Sequence, residues 1–282
     1  MFANYLIGLR EGFEAALIVA ILVAYLVKTG DRRAVRMAWL GVGVAVAMSV
    51  GVGLLLTFVN EALSDTAATA FAGAMSLLAV GLITWMVFWM ASRAKGIKQH
   101  LHGEVDRALA ASGVAVAAVA FAAVTREGVE TALFLWAGIR SSGTTTAPLV
   151  GAILGLATAV LLGVLMYRGA IRLNMARLFL WTGAALIVVA GGVLRYAVAE
   201  FQELGWLPGE HNTAFDLSAA IPPDGIVGTI IRGTVNLTPT MNWLEVVAWI
   251  LYVVPTLVIF FRVIKGRPKQ SQNTASRVAV HS

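Results

Sequence analysis

Seven stretches of this 282-residue sequence, at about 3–27, 35–59, 70–91, 109–138, 147–167, 177–199 and 243–264, are predominantly apolar and long enough to cross a bilayer. A hydrocarbon core about 30 Å thick takes about 20 residues of helix, whereas a membrane β-barrel is built from alternating segments of about 10 residues. The expected fold is therefore an all-α membrane protein with seven transmembrane helices. Composition agrees, with 59% hydrophobic and only 13% charged residues, against about 25% charged in an ordinary soluble domain. The chain has no cysteine, which excludes disulfides, thiolate metal sites and thiol redox chemistry.

The net charge of +6 is accounted for by position. Lys28, Arg32, Arg33 and Arg36 follow the first stretch, and Arg93, Lys95, Lys98 and Arg107 follow the third. Arg168, Arg172 and Arg177 follow the fifth, and Arg262, Lys265, Arg267, Lys269 and Arg277 close the chain. The alternate connections hold only Arg140 and Arg232, together with Glu61, Asp65, Glu200, Glu203, Glu210, Asp216 and Asp224. Cytoplasmic loops collect Lys and Arg, so the N-terminus is expected outside and the C-terminus in the cytoplasm of a multi-pass protein of the cytoplasmic membrane. Nucleic acid is not an expected partner. Three charges inside the first stretch and the lack of a basic n-region argue against a cleaved signal peptide. Residues 266–282 read as a disordered basic tail after a seven-helix transmembrane domain spanning 1–265.

Three arginines, Arg10, Arg126 and Arg195, fall inside the apolar stretches. Charges at such depth are costly, carry partners and mark function. Arg10-Glu11-Gly12-Phe13-Glu14 in the first stretch recurs as Arg126-Glu127-Gly128-Val129-Glu130 in the fourth. The two stretches are expected to run in opposite directions, which predicts an inverted repeat with halves at about 1–92 and 109–200, and the seventh helix outside it. Repeats of this kind place their site at the repeat interface near the midplane.

On a helix the Arg and both Glu of each motif share an arc of about 100°, and Gly12 and Gly128, with Gly8 one turn before Gly12, permit close helix crossing. Two such helices would present Glu11, Glu14, Glu127 and Glu130 to one point, with Arg10 and Arg126 orienting them through two-pronged carboxylate contacts. Each motif retains a charge of −1, which a multivalent cation would offset. Carboxylates suit hard cations such as iron, manganese, magnesium or calcium. Thr84, Met86 and Met90 could line a path or simply fill space. Arg195, Tyr196, Glu200 and Glu203 suggest either an interfacial ion-pair cap or an outer capture site. His100, His102 and His211 read as loop residues that could accept a metal or merely be solvated.

The doubled Arg-Glu-Gly-x-Glu motif resembles the oxidase-dependent iron transporters, the high-affinity iron permease family that spans bacterial ferrous iron permeases and fungal iron permeases. The segment Thr84-Trp85-Met86 to Trp89-Met90, the pair Glu200 and Glu203 before Gly205, and Pro239 to Pro255 with Trp243, Leu244, Glu245 and Tyr252 extend the resemblance to about residue 264. It implies iron import across the cytoplasmic membrane by a transporter with no organic cofactor, with the four motif glutamates handling iron as substrate. It also implies an extracytoplasmic partner that oxidises or binds iron. Many members carry an acidic residue before the glycine that opens the third stretch, where this chain has Ala72-Gly73. Two other functions stay open: import of another divalent cation such as manganese or lead, and an intramembrane enzyme using a glutamate pair as acid and base.

Overall fold

The computed structural model describes residues 1–93, 112–170, 174–222 and 237–265, together with 225, 228 and 231. It is 82% helical. The helices are α1 (Phe2–Lys28), α2 (Arg32–Ala62), α3 (Asp65–Arg93), α4 (Gly113–Ser142), α5 (Thr146–Tyr167), α6 (Met175–Glu203) and α7 (Trp243–Lys265). Five of them, α2, α3, α5, α6 and α7, are long and apolar enough to cross a membrane. The other two, at 27 and 30 residues, are also long enough, but each carries three motif charges near its middle. The tail 266–282 and the histidines His100 and His102 lie outside the described residues, and His211 is an exposed loop residue.

Polar side chains start several helices by taking up free N–H groups at their first turn. Asp31 accepts from Arg33 N at 2.8 Å, Ser112 from Ala115 N at 3.2 Å and Asn174 from Arg177 N at 3.1 Å. Gly143 ends α4 at φ 67°, a left-handed conformation in which a side chain would be strained. Between α6 and α7, in a region expected to be loop only, β1 (Thr213–Asp216) and β2 (Thr240–Asn242) pair antiparallel, with Phe215 opposite Met241. At four and three residues, these strands are too short to announce themselves by alternation.

The packing is interlaced. The principal neighbour of α1 is α5, and that of α4 is α2, so each motif helix lies against the second helix of the other half. The helices α1 and α4 also touch, α3 packs on α6, and α7 packs on α6. Small residues make these crossings close. The buried stripe of α5 is Gly151, Ala152, Gly155, Ala159 and Gly163, and that of α2 is Ala34, Ala38, Gly41, Ala45 and Ser49. Outward, the same helices expose Leu54, Phe58, Ile153 and Leu161. Apolar outside and small residues at the contacts is the pattern of helices packed in lipid.

The glycines of the first motif therefore serve a different crossing from the one expected. Gly8 meets the backbone of Ala152 and Leu156, and Gly12 meets Leu156 and Ala159, so both face α5 rather than α4. At Gly155, an added Cβ would lie 2.7 Å from Leu9 N and 3.1 Å from Gly8 C, and backbone on the far side cannot move aside as a side chain end would. Gly155→Ala is expected to cost about 1–3 kcal/mol through overpacking, read as a lower midpoint of SDS-induced unfolding.

Candidate metal site

Both motifs sit mid-helix, and their carboxylates turn towards the α1–α4 contact. Glu11, Glu14 and Glu127 each bring an oxygen to within 4.8 Å of the other two. All three are buried, Glu11 completely. Neither Glu11 oxygen has a hydrogen-bond partner, nor does Glu130 Oε2. Buried carboxylate oxygens without donors are expensive unless a cation or proton satisfies them. The expected fourth member, Glu130, lies outside the close trio, and its Oε1 is taken by Arg126.

The two arginines differ. Arg10 is 2% exposed and donates from Nε to Glu14 Oε1 at 3.2 Å and from Nη2 to the Met90 sulfur at 3.2 Å. The Arg126 side chain is 38% exposed and donates from Nε to Glu130 Oε1 at 3.3 Å, with Glu127 Oε1 at 3.9 Å. Its guanidinium lies 4.6 Å from the centre of the Trp89 ring and 5.6 Å from that of Trp85. In neither motif is the expected two-pronged contact found. An arginine reaching a glutamate one turn along its own helix meets it with Nε, and the terminal nitrogens continue towards α3.

Apolar packing lies along the helices to either side of the carboxylates. Ile7 and Phe134 belong to one buried cluster, and Leu22, Leu26, Val116 and Ala120 to another. Met86 and Met90 are buried in the first cluster, while the Thr84 hydroxyl pairs with Tyr252 at 2.7 Å.

At the far end of α6 the structure regroups the expected residues. Arg195 is buried and donates to Glu245 Oε1 of α7 at 2.9 Å, whereas Glu200 lies within electrostatic reach of Tyr196, Glu203 and Arg140. Glu245 also accepts from Asn242 N at 2.8 Å, while Asn242 Oδ1 accepts from Glu245 N at 2.9 Å. This reciprocal box caps α7. Asn242 in turn donates to Gln202 Oε1 at 2.7 Å. A cavity of about 300 Å³ opens here, lined by Glu203, Glu210, Thr213, Asn242 and Glu245 among others. Ala72 is buried, and Gly73 faces the Phe201 ring.

Sequence reasoning missed Glu245 as the partner of Arg195, although its place three residues after Asn242 is the capping-box spacing. It also missed Asn4, which is 2% exposed and presses its amide against Gly138. Asn4 precedes Glu11 by seven residues and shares its helix face.

Residues 1–266 match the iron permease FTR1 family. The chain belongs to that family. It is 38% identical to the ferrous iron permease EfeU of Shigella sonnei over 99% of this chain and the whole of that one, and equally to that of Escherichia coli O157:H7. Identity to the ferrous iron permease EfeU of Yersinia pestis is 35%, over 93% of each chain. No solved structure matches. Family membership makes the chain a transporter rather than an enzyme, and a membrane protein, which the five long apolar helices support.

Proposed function

We propose that this permease imports iron into the cytoplasm through the carboxylate cluster between α1 and α4. The observation that carries this reading is the trio Glu11, Glu14 and Glu127, close enough to share one ion while Glu11 has no donor of its own. The names of the relatives add iron as the cargo. In this reading seven helices cross the cytoplasmic membrane with the N-terminus outside, and the halves form an inverted repeat. The exchange of partners between α1–α5 and α4–α2 supports that symmetry. Glu200 and Glu203 receive iron at the outer surface, where an iron-oxidising or iron-binding partner delivers it. Glu11, Glu14, Glu127 and Glu130 then hold it while the packing around Ile7 and Phe134 recloses. Release inward follows when the cluster around Leu22 and Val116 parts.

The test is uptake of radiolabelled iron by iron-starved cells lacking other importers, with manganese as competitor. The wild type is compared with the Glu14→Gln/Glu130→Gln variant at matched membrane amounts. Removing two charges is expected to lower uptake at least tenfold, the equivalent of about 1.4 kcal/mol, since a neutral amide holds a divalent cation more weakly than a carboxylate. Unchanged uptake in the variant would refute the site. Suppression of iron uptake by equimolar manganese would move the cargo assignment to the second cation.

A further inference from the structure

The segment of α3 from Trp85 to Met90 touches the arginines of both motifs, in two unlike ways. Met90 and Arg10 meet through a thioether sulfur inside a buried site, and Arg126 rests on the faces of Trp89 and Trp85. A cation entering the cluster must compete with the arginines for the same carboxylates. An arginine that gives up its carboxylate then needs somewhere to go. Arg10 has only a weak neutral acceptor and burial around it. Arg126 keeps an aromatic face 4.6 Å away and 38% of its side chain accessible, and a ring face attracts a guanidinium without using an oxygen.

We propose that Trp89 is a positioning residue for cation loading: it holds the Arg126 guanidinium when Glu127 and Glu130 turn to the cation, so the second motif yields its carboxylates first. This rests on the reading that the glutamate cluster takes the transported cation. Without the ring, Arg126 keeps only the more distant face of Trp85 besides Glu130 and Glu127, and it competes harder with the incoming ion. The affinity for the cation falls while the pathway itself stays intact.

The experiment compares wild type, Trp89→Leu, Trp89→Tyr and Trp181→Leu at matched membrane amounts, fitting half-saturation and maximal rate of iron uptake separately. The Trp181 side chain is 70% exposed on α6 and controls for loss of an indole. Trp89→Leu is expected to raise the half-saturation concentration about two- to fivefold, the range a partly exposed cation–π contact supports. Its maximal rate should stay near that of wild type, Trp89→Tyr should recover most of the affinity, and Trp181→Leu should change neither quantity. Equilibrium binding of Mn²⁺ to the purified permease, followed by electron paramagnetic resonance, should give the same order of affinities independently of transport.

An unchanged half-saturation in Trp89→Leu, or Trp89→Tyr no better than Leu, overturns the positioning role and leaves the iron reading standing. Mn²⁺ binding that weakens in Trp89→Leu, with no iron uptake by wild type, upholds the positioning role and overturns iron as cargo. Absence of both iron uptake and saturable Mn²⁺ binding in the wild type overturns both.

Discussion

Arg10→Met should destabilise the permease by about 3–5 kcal/mol, the cost of leaving a buried charge without its partner. Arg10 is 2% exposed, it is the cation bonded to Glu14, and Glu11 beside it has no donor of any kind. The expected result is a marked fall in the midpoint of SDS-induced unfolding and in the amount reaching the membrane. Replacing both partners, in Arg10→Met/Glu14→Leu, should recover much of the loss, because an apolar pair of similar volume avoids desolvating either charge. Iron uptake should not recover with it. If single and double variants unfold at the same point, the ion pair is not what stabilises this crossing. Arg126→Met offers the contrast: its side chain is 38% exposed, and a partly solvated pair is worth about 0–1 kcal/mol.

The second large effect is expected at Glu245→Ala. One carboxylate there does two jobs, neutralising the buried Arg195 through Oε1 and accepting from Asn242 N through Oε2. Loss of the carboxylate breaks its buried ion pair with Arg195, at a cost of about 3–5 kcal/mol, and loss of the cap adds about 1 kcal/mol. Glu245→Gln keeps an acceptor and should fall between wild type and alanine. Because Asn242 is also the last residue of β2 and bonds Gln202, proteolysis between 204 and 242 should quicken in Glu245→Ala. A cleavage pattern identical to wild type would separate the hairpin from the ion pair.

What was legible in the sequence was what repeats locally. Helices were visible because apolar runs of their length have few alternatives, and the motif was visible because Arg10 to Glu14 recurs at Arg126 to Glu130 within five residues. Helix periodicity then put the Arg and both Glu of each motif on one face of its helix. The hidden parts are pairings between distant positions. Nothing near Arg195 indicates that its partner is fifty residues on, and Glu200, five residues along the same helix, is the more obvious candidate. Gly8 and Gly12 announce a close crossing but not its partner, which is α5. Trp89 reads as a lipid-facing or packing aromatic until the position of Arg126 is known. The asymmetry of the two motifs is likewise absent from the repeated letters, since it comes from α3, which lies outside them.

The interlaced packing also dictates an order of biogenesis. The ribosome delivers α1 with its arginine and two glutamates long before α5, whose small-residue stripe is its main cover, and α1 makes few contacts with α2 meanwhile. The first helix therefore lacks its main cover until α5 has been made. Stability of the first helix is in this sense borrowed from a helix made four places later.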